Sequence, residues 1–174
     1  SRGLVGSEMC IRDRFKPTAI ANTLILEKVS RGDSLNDTEL AHYKRVYARF
    51  NKICELAYKN DVKILVDAEE SWIQDAIDEI VLKMMIKYNG NKAVVFNTSQ
   101  MYRHDRLEYL RDLYKASREN NFYIGIKLVR GAYIEKENKR AKKNNYLSPI
   151  CNSKKLTDEN LSLIHISEPT RPRL

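Results

Sequence analysis

The sequence has little of what marks several specialised protein classes. Its 174 residues include only three cysteines, four prolines and six glycines. No apolar run approaches the roughly 20 residues that a membrane span needs, which excludes an integral membrane helix protein. With 43% hydrophobic and 31% charged residues, the chain is not a collagen, a fibre or a low-complexity tail. We therefore expect one globular domain with a core of reasonable size.

Cysteine and histidine are too scarce and too irregularly spaced for a metal site or a disulfide framework. Cys10, Cys54 and Cys151 lie far apart in the sequence, so we expect free thiols. His42 falls within a predicted helix and His104 at a helix start, where surface or capping roles are usual. No Ser-His-Asp or Cys-His arrangement is visible, and we predict no metal ligands.

The chain is basic, with a formal charge of +8. Such a charge invites a nucleic-acid-binding hypothesis. The lysines and arginines are, however, mixed with aspartates and glutamates, and no basic stripe interleaved with aromatic residues is present. A solvated surface accounts for the charge, although a basic nucleic-acid-binding module stays open as an alternative.

The two ends of the chain are related to each other at the level of DNA. A stretch of DNA that encodes residues 4–14 has a complementary strand that encodes residues 161–171. This inverted repeat resembles the transposon-end adapter of sequencing libraries. We therefore predict that residues 1–14 and 161–174 are adapter-derived, and that residues 15–160 are an internal piece of a longer gene.

Three short apolar runs rich in β-branched residues predict buried strands over residues 63–67, 93–97 and 123–129. Asp67, Asn97 and Lys127 mark equivalent points in these runs and follow one another at a spacing that fits a strand, a helix and two loops. Upstream, residues 14–20 are similar to the clipped end of another strand. The pattern predicts a parallel βα series.

The segments between the strands have apolar residues at helical spacing. One helix is predicted from Ser71, a candidate N-cap, to Asn89 and Gly90, which would stop it. Two more are predicted over residues 40–57 and 107–116. Their methionines and aromatic residues are assigned to the core.

The loops favour a barrel over a doubly wound sheet. A dinucleotide-binding sheet would carry a glycine-rich turn after an early strand, and the sequence has no such turn and no P-loop. In a barrel, function is spread over the carboxyl ends of many strands. Each predicted strand here ends in polar residues: Lys16, Asp67 with Glu69, Asn97 with Gln100, and Lys127 with Arg130. We predict an α/β fold, a partial (βα)8 barrel of the TIM type.

These strand ends also carry the candidate chemistry. Asp67 ends a buried strand, so it either faces a solvated mouth or makes a purely stabilising ion pair with Lys16. Gln100 could be a ligand contact or a loop cap. Lys127 and Arg130 flank a strand end that opens into Gly131 and Tyr133, a setting for an anionic or electron-rich planar ligand. A barrel enzyme that binds a phosphorylated substrate through these two cations is a further alternative.

Four motifs, in order and at similar spacing, resemble the proline dehydrogenase family. They are residues 15–19 (FKPTA), 66–70 (VDAEE), 96–100 (FNTSQ) and 127–135 (KLVRGAYIE). The resemblance implies a distorted (βα)8 barrel that binds FAD, oxidises L-proline to Δ1-pyrroline-5-carboxylate and passes electrons to a membrane quinone.

The resemblance also implies residue roles. Lys16 would hold the substrate carboxylate, Asp67 would belong to the proline pocket, and Leu128 and Tyr133 would pack against the proline ring. The implied flavin contacts are Gln100, Lys127, Val129, Arg130, Gly131 and Ala132.

The family's later strands and paired arginines would lie beyond residue 160, so we expect the 174-residue chain itself to be inactive. The family suggests a cytoplasmic, membrane-associated enzyme in bacteria or a mitochondrial one in eukaryotes.

Overall fold

A computed structural model describes residues 13–151 and 153–167, in which parallel strands alternate with helices. The strands are β1 (Asp13–Phe15), β2 (Ile64–Val66), β3 (Val95–Gln100) and β4 (Ile126–Val129). The connecting helices are α1 (Thr23–Ser30) and α2 (Asp37–Lys59) before β2, α3 (Ser71–Tyr88) before β3, and α4 (Arg106–Asn120) before β4. Two helices follow β4, α5 (Ile134–Lys143) and α6 (Lys154–Ser167).

The strands pair in chain order, β1-β2-β3-β4, and every pair is parallel. The connecting helices share one apolar cluster with one face of the sheet, as is expected when successive crossovers have the same hand and advance in the same direction. This succession of neighbouring strands is that of a barrel, whereas a doubly wound sheet reverses its strand order at a switch point.

The core lies between the sheet and this helical layer. Phe15, Val66 and Val95 point from the strands into an apolar cluster, where the ring of Phe15 meets that of Phe50 edge to face at 5.2 Å. The predicted core face of α3 is confirmed for the fully buried Ile73, Ile77, Ile80, Val81, Met84 and Met85, whereas Trp72 at its start is only partly buried. Burial of this face is the main source of stability for the βα series.

Helix ends follow the sequence signals closely. Asn36 caps α2 in a capping box with Glu39. Asn89 ends α3 as predicted and is fully buried. Its side chain accepts hydrogen bonds from the amides of Val94 and Val95 and donates to the backbone oxygens of Val95 and Tyr123. One side chain therefore ties the end of α3 to two strand segments.

Several element boundaries differ from the expectations, including that of β4, which begins at Ile126 and not at residue 123. The N-cap of α3 is Glu70, and Ser71 is the first helical residue. Strand β1 ends at Phe15, because Pro17 begins a 3-10 turn. Strand β3 continues beyond Asn97 to Gln100, since hydrogen bonds satisfy the buried side chains of Asn97 and Thr98.

Most of the two segments predicted to be adapter-derived lies outside the described residues. Residues 1–12 and 168–174 are not among the described residues. Asp13 and Arg14 lie in β1, and α6 runs across the predicted boundary at residue 160. The adapter origin of the two ends stays a prediction.

Candidate active site at the carboxyl ends of the strands

The sheet register brings the predicted strand-end residues to one edge. Lys127 lies beside Thr98, and Val129 lies beside Gln100. The amide of Asp67 donates to the backbone oxygen of Phe15, which extends the β1–β2 ladder to the edge. Paired residues of parallel strands point to the same face, so Gln100 and Val129 share the face opposite to the helical layer.

Gln100 is a buried residue with one unsatisfied atom. Its Nε2 donates to the backbone oxygen of Glu69 at 2.7 Å. Its Oε1 is buried and has no hydrogen-bond partner among residues 13–151 and 153–167. Because buried acceptors are almost always bonded, this oxygen is suited to accept a hydrogen bond from a ligand.

Asp67 is half-buried, and its ion pair is with Arg14, at 3.9 Å. The alternative expectation is a stabilising ion pair between Asp67 and Lys16. Among the described residues, Asp67 pairs with Arg14 instead. Arg14 is largely exposed and belongs to the segment predicted to be adapter-derived. A long, exposed pair of this kind contributes little stability, which leaves Asp67 available to a ligand.

Tyr133 lies within electrostatic range of Lys16, although the two residues are 117 positions apart in the sequence. Burial raises the pKa of the Tyr133 hydroxyl, the charge of Lys16 opposes the rise, and the charges of Glu70 and Glu69 add to it. The net direction is upward, so the phenol is neutral and can donate a hydrogen bond at neutral pH. Lys16, which directly follows β1, and Tyr133, which is the N-cap of α5 after β4, therefore belong to the same end of the sheet.

Gly131 occupies a position that only glycine fits. Its φ is +131°, and a Cβ there would lie 2.5 Å from the ring of Tyr102. The amide of Tyr102 donates to the backbone oxygen of Arg130 at 2.8 Å, so the two segments are held together. The group that approaches Gly131 closely in this structure is therefore the ring of Tyr102. Beside it, a cleft of ≈ 560 Å³ is lined by Gly131, Ala132, Tyr133, Ile134, Glu135, Lys136 and Lys139.

The other predicted residues are placed differently. Lys127 and Ala132 are exposed. Arg130 makes a salt bridge with Asp158 of α6 at 3.0 Å. Leu128 pairs with Ser99 and lies on the opposite face of β4 from Lys127, so the register does not support its predicted contact with the substrate.

The turn between β2 and α3 contains residues whose roles the sequence did not reveal. The carboxylate of Glu69 accepts hydrogen bonds from the amide and hydroxyl of Thr18, at 2.9 and 2.7 Å. Glu70 pairs with Lys136 of α5. Ser71 donates from its amide and its hydroxyl to Glu137, both at 2.6 Å. Since these partners lie 51 to 66 residues away, no local sequence pattern could identify them.

A buried polar network supports β3 from the helical side. Asp78 accepts hydrogen bonds from Gln74, Asn97 and Arg106 at 2.7 to 2.8 Å. Burial raises the pKa of Asp78, and Arg106 opposes this rise. Asn97 therefore faces the helices, whereas Gln100, like Phe96 and Thr98, lies on the opposite face of β3.

The comparisons with known proteins agree with this architecture. The family model described as proline dehydrogenase matches residues 8–164. The chain belongs to the proline dehydrogenase family. The resemblance predicted from four motifs is confirmed, and neither alternative function is favoured.

Curated relatives in the proline dehydrogenase family come from distant organisms. Proline dehydrogenase 1, mitochondrial, of Drosophila melanogaster is 47% identical over 109 residues, which cover 62% of this chain and 16% of that protein. A carbapenem antibiotics biosynthesis protein of Pectobacterium carotovorum is 34% identical over 123 residues, which cover 71% of this chain and 33% of that protein. The chain thus spans at most a third of the length of these two relatives.

Solved structures of proline utilization A (PutA) share the fold. The protein from Bdellovibrio bacteriovorus matches 86% of this chain and 15% of its own, with a TM-score of 0.73 and 19% identity. The protein from Corynebacterium freiburgense matches 84% of this chain and 15% of its own, with a TM-score of 0.69 and 18% identity. Because the proline dehydrogenase domain of PutA is a (βα)8 barrel, the predicted partial barrel is confirmed.

The comparisons give a cellular location only for relatives of this chain. Several eukaryotic relatives are named as mitochondrial. Among residues 13–151 and 153–167, no helix has the length and apolar character needed to cross a bilayer.

Proposed function

We propose that this chain forms part of the barrel of an FAD-dependent proline dehydrogenase, which oxidises L-proline to Δ1-pyrroline-5-carboxylate. The observation that supports the proposal is that Lys16, Asp67, Gln100 and Tyr133 stand at or shortly after the carboxyl ends of four neighbouring parallel strands. These residues come from four successive βα units, as in other barrel active sites. Membership of the proline dehydrogenase family supports the same assignment.

Proline is a small zwitterion, and the charged residues at this edge match its two ends. Lys16 supplies a cation for the carboxylate, and Asp67 supplies an anion for the ring nitrogen. Tyr133 offers an aromatic face and a neutral hydroxyl, since its pKa is raised by burial. We assign packing against the proline ring to Tyr133, because Leu128 lies on the other face of β4.

The residues proposed to hold FAD are Gln100, Lys127 and the stretch Val129, Arg130, Gly131 and Ala132. The unsatisfied Oε1 of Gln100 fits a flavin ring, which carries an N–H donor at its imide edge. Lys127 and Arg130 provide positive charge near the same strand end. When bound, FAD supplies the two-electron acceptor for the reaction.

In the proposed reaction, the residues of this chain orient the substrate and stabilise the charge that develops. In this oxidation a hydride leaves the ring carbon beside nitrogen for the two-electron acceptor, a proton leaves the nitrogen for solvent, and a C=N bond forms. Lys16 and Asp67 orient the substrate, which lowers the barrier by holding the reacting carbon in a productive position. A cation such as Lys127 stabilises the negative charge that the acceptor gains. No protein nucleophile takes part.

The electron acceptor and location are proposed from the family. We infer that the electrons pass to a quinone at a membrane surface, reached by an enzyme that associates peripherally with the membrane. Such an enzyme would work in the bacterial cytoplasm or in the mitochondrion, and the mitochondrial names of eukaryotic relatives support the second setting.

The test uses a full-length barrel that contains residues 15–160. We expect a yellow protein with flavin absorbance that reduces a dye acceptor only when L-proline is added. Asp67→Asn should lower proline-dependent reduction by at least tenfold and leave the flavin content unchanged. Absence of both flavin absorbance and dye reduction in the unsubstituted protein would reject the function.

A further inference from the structure

Tyr133 holds its place through the helix that follows it. It is the N-cap residue of α5, and its side chain makes no capping hydrogen bond. Its backbone oxygen accepts the first helical hydrogen bond, from the amide of Glu137 at 2.9 Å. The position of Tyr133 therefore depends on how the first turn of α5 is fixed to the rest of the barrel.

Glu137 is the buried link between α5 and the barrel. Its side chain is fully buried, and both carboxylate oxygens accept hydrogen bonds from Ser71 at 2.6 Å. Ser71 is the first residue of α3, whose N-cap, Glu70, makes no capping hydrogen bond with its side chain. A carboxylate at a helix N-terminus satisfies a free amide and interacts favourably with the helix dipole.

The other contacts between α5 and α3 are weaker anchors. Lys136 pairs with Glu70, but the lysine side chain is 60% exposed. Arg140 stacks on the ring of Trp72 at 4.2 Å at the partly exposed side of the helix. Exposed ion pairs contribute little, whereas short hydrogen bonds to a buried carboxylate are strong.

We propose that Glu137 is a positioning residue, which fixes the first turn of α5 on the N-terminus of α3 and so holds Tyr133 against the substrate region. This inference rests on the proposed function, because Tyr133 is assigned there to the proline pocket. Glu137 itself contacts neither proline nor flavin. A small displacement of a positioning group can reduce an enzyme's efficiency by up to about a hundredfold. We expect the loss of Glu137 to appear mainly as a higher KM for proline.

The experiment compares Glu137→Gln, Ser71→Ala and the double variant in the full-length barrel. Glu137→Gln keeps the side-chain volume and one acceptor, so it is the least disruptive change at this buried position. The matched control is Glu108→Gln, which changes an exposed glutamate in the first turn of α4. The measurements are KM and kcat for proline, flavin content, and hydrogen exchange of the peptide that covers residues 131–143.

We expect Glu137→Gln to raise KM for proline about tenfold with little change in flavin content, and to speed exchange at residues 131–143. Ser71→Ala should give part of this effect, and the double variant should not exceed Glu137→Gln, because both substitutions act on one contact. Unchanged KM in Glu137→Gln, or full additivity, would overturn the proposal. If the unsubstituted barrel lacks proline turnover, the proposed function fails instead, and the exchange rates alone decide whether Glu137 anchors Tyr133.

Discussion

The side-chain amide of Gln100 donates to the backbone oxygen of Glu69 at 2.7 Å, and this bond fixes which end of the amide is free. The carboxylate of the same glutamate binds Thr18, so one residue connects the ends of β1, β2 and β3. The unsatisfied Oε1 of Gln100 is thus held in place before any ligand arrives. Such preorganisation lowers the cost of binding.

Gln100→Glu should disrupt this arrangement. A carboxylate has no donor for the oxygen of Glu69, so a buried carbonyl would lose its partner at a cost of about 1–3 kcal/mol in the free energy of unfolding. Urea denaturation measures the loss, and the exposed Asn91→Asp serves as the matched amide-to-acid control. A Gln100→Glu variant as stable as the control would show that this hydrogen bond does not matter.

Gly131→Ala should destabilise the loop between β4 and α5. The new Cβ would lie 2.5 Å from the ring of Tyr102, and a φ of +131° is unfavourable for alanine. We expect a loss of about 1–3 kcal/mol in the free energy of unfolding. Gly90→Ala is the control, because a Cβ there meets no heavy atom within 4 Å. Equal stabilities of the two variants would contradict the role assigned to Gly131.

Local patterns predicted the parts of this fold that depend on neighbours in sequence. The periodicity of α3 and its end at Asn89 followed from side chains within one or two turns. Helix α5 has few apolar residues, so periodicity could not reveal it. Its anchor, Glu137, depends on Ser71, which lies 66 residues earlier. Likewise, β3 extends through Asn97 because of Asp78, a partner on another element.

For the candidate site, too, the sequence predicted the residues at the strand ends but not the contacts that depend on strand register. Strand-end polarity identified Lys16, Asp67 and Gln100, because the carboxyl ends of parallel strands meet at one edge. The pairing of Asp67 with Arg14 could not be predicted, because it depends on the β1–β2 register. The face of Leu128 could not be predicted either, since a strand displaced by one residue reverses every side chain.

Lowering the pH should reduce the stability of the fold through protonation of Asp105. Burial raises the pKa of this carboxylate, but hydrogen bonds and charges from Arg106 and Arg103 outweigh burial and hold the pKa below its ordinary value of 3.8. Because the folded pKa is the lower one, the stabilisation is present above about pH 3.8 and is lost as the pH falls through the folded pKa. Asp105→Asn should reduce the dependence of stability on pH below pH 4, as measured by urea denaturation at several pH values. The exposed Asp112→Asn is the control, and identical pH dependence in the two variants would contradict this role.

The single tryptophan of the chain reports on the contact between α5 and α3. Trp72 is partly buried, and its ring is covered by the guanidinium of Arg140 at 4.2 Å, while Lys136 lies farther away at 5.8 Å. Arg140 also pairs with Glu27 of α1, which holds it over the ring. Arg140→Ala removes both the cation and the alkyl stem that exclude water from the indole. We expect its fluorescence emission to shift to longer wavelength and quenching by acrylamide to increase.

The control for Trp72 is Arg118→Ala, which changes an exposed arginine in the last turn of α4. This variant should leave the emission unchanged, because Arg118 belongs to a different helix. Glu137→Gln should shift the emission in the same direction as Arg140→Ala but by less, since Arg140 still contacts the ring while the first turn of α5 loosens. An emission shift in Arg140→Ala with none in Glu137→Gln would mean that the cation over Trp72, and not the buried carboxylate, holds α5 in place.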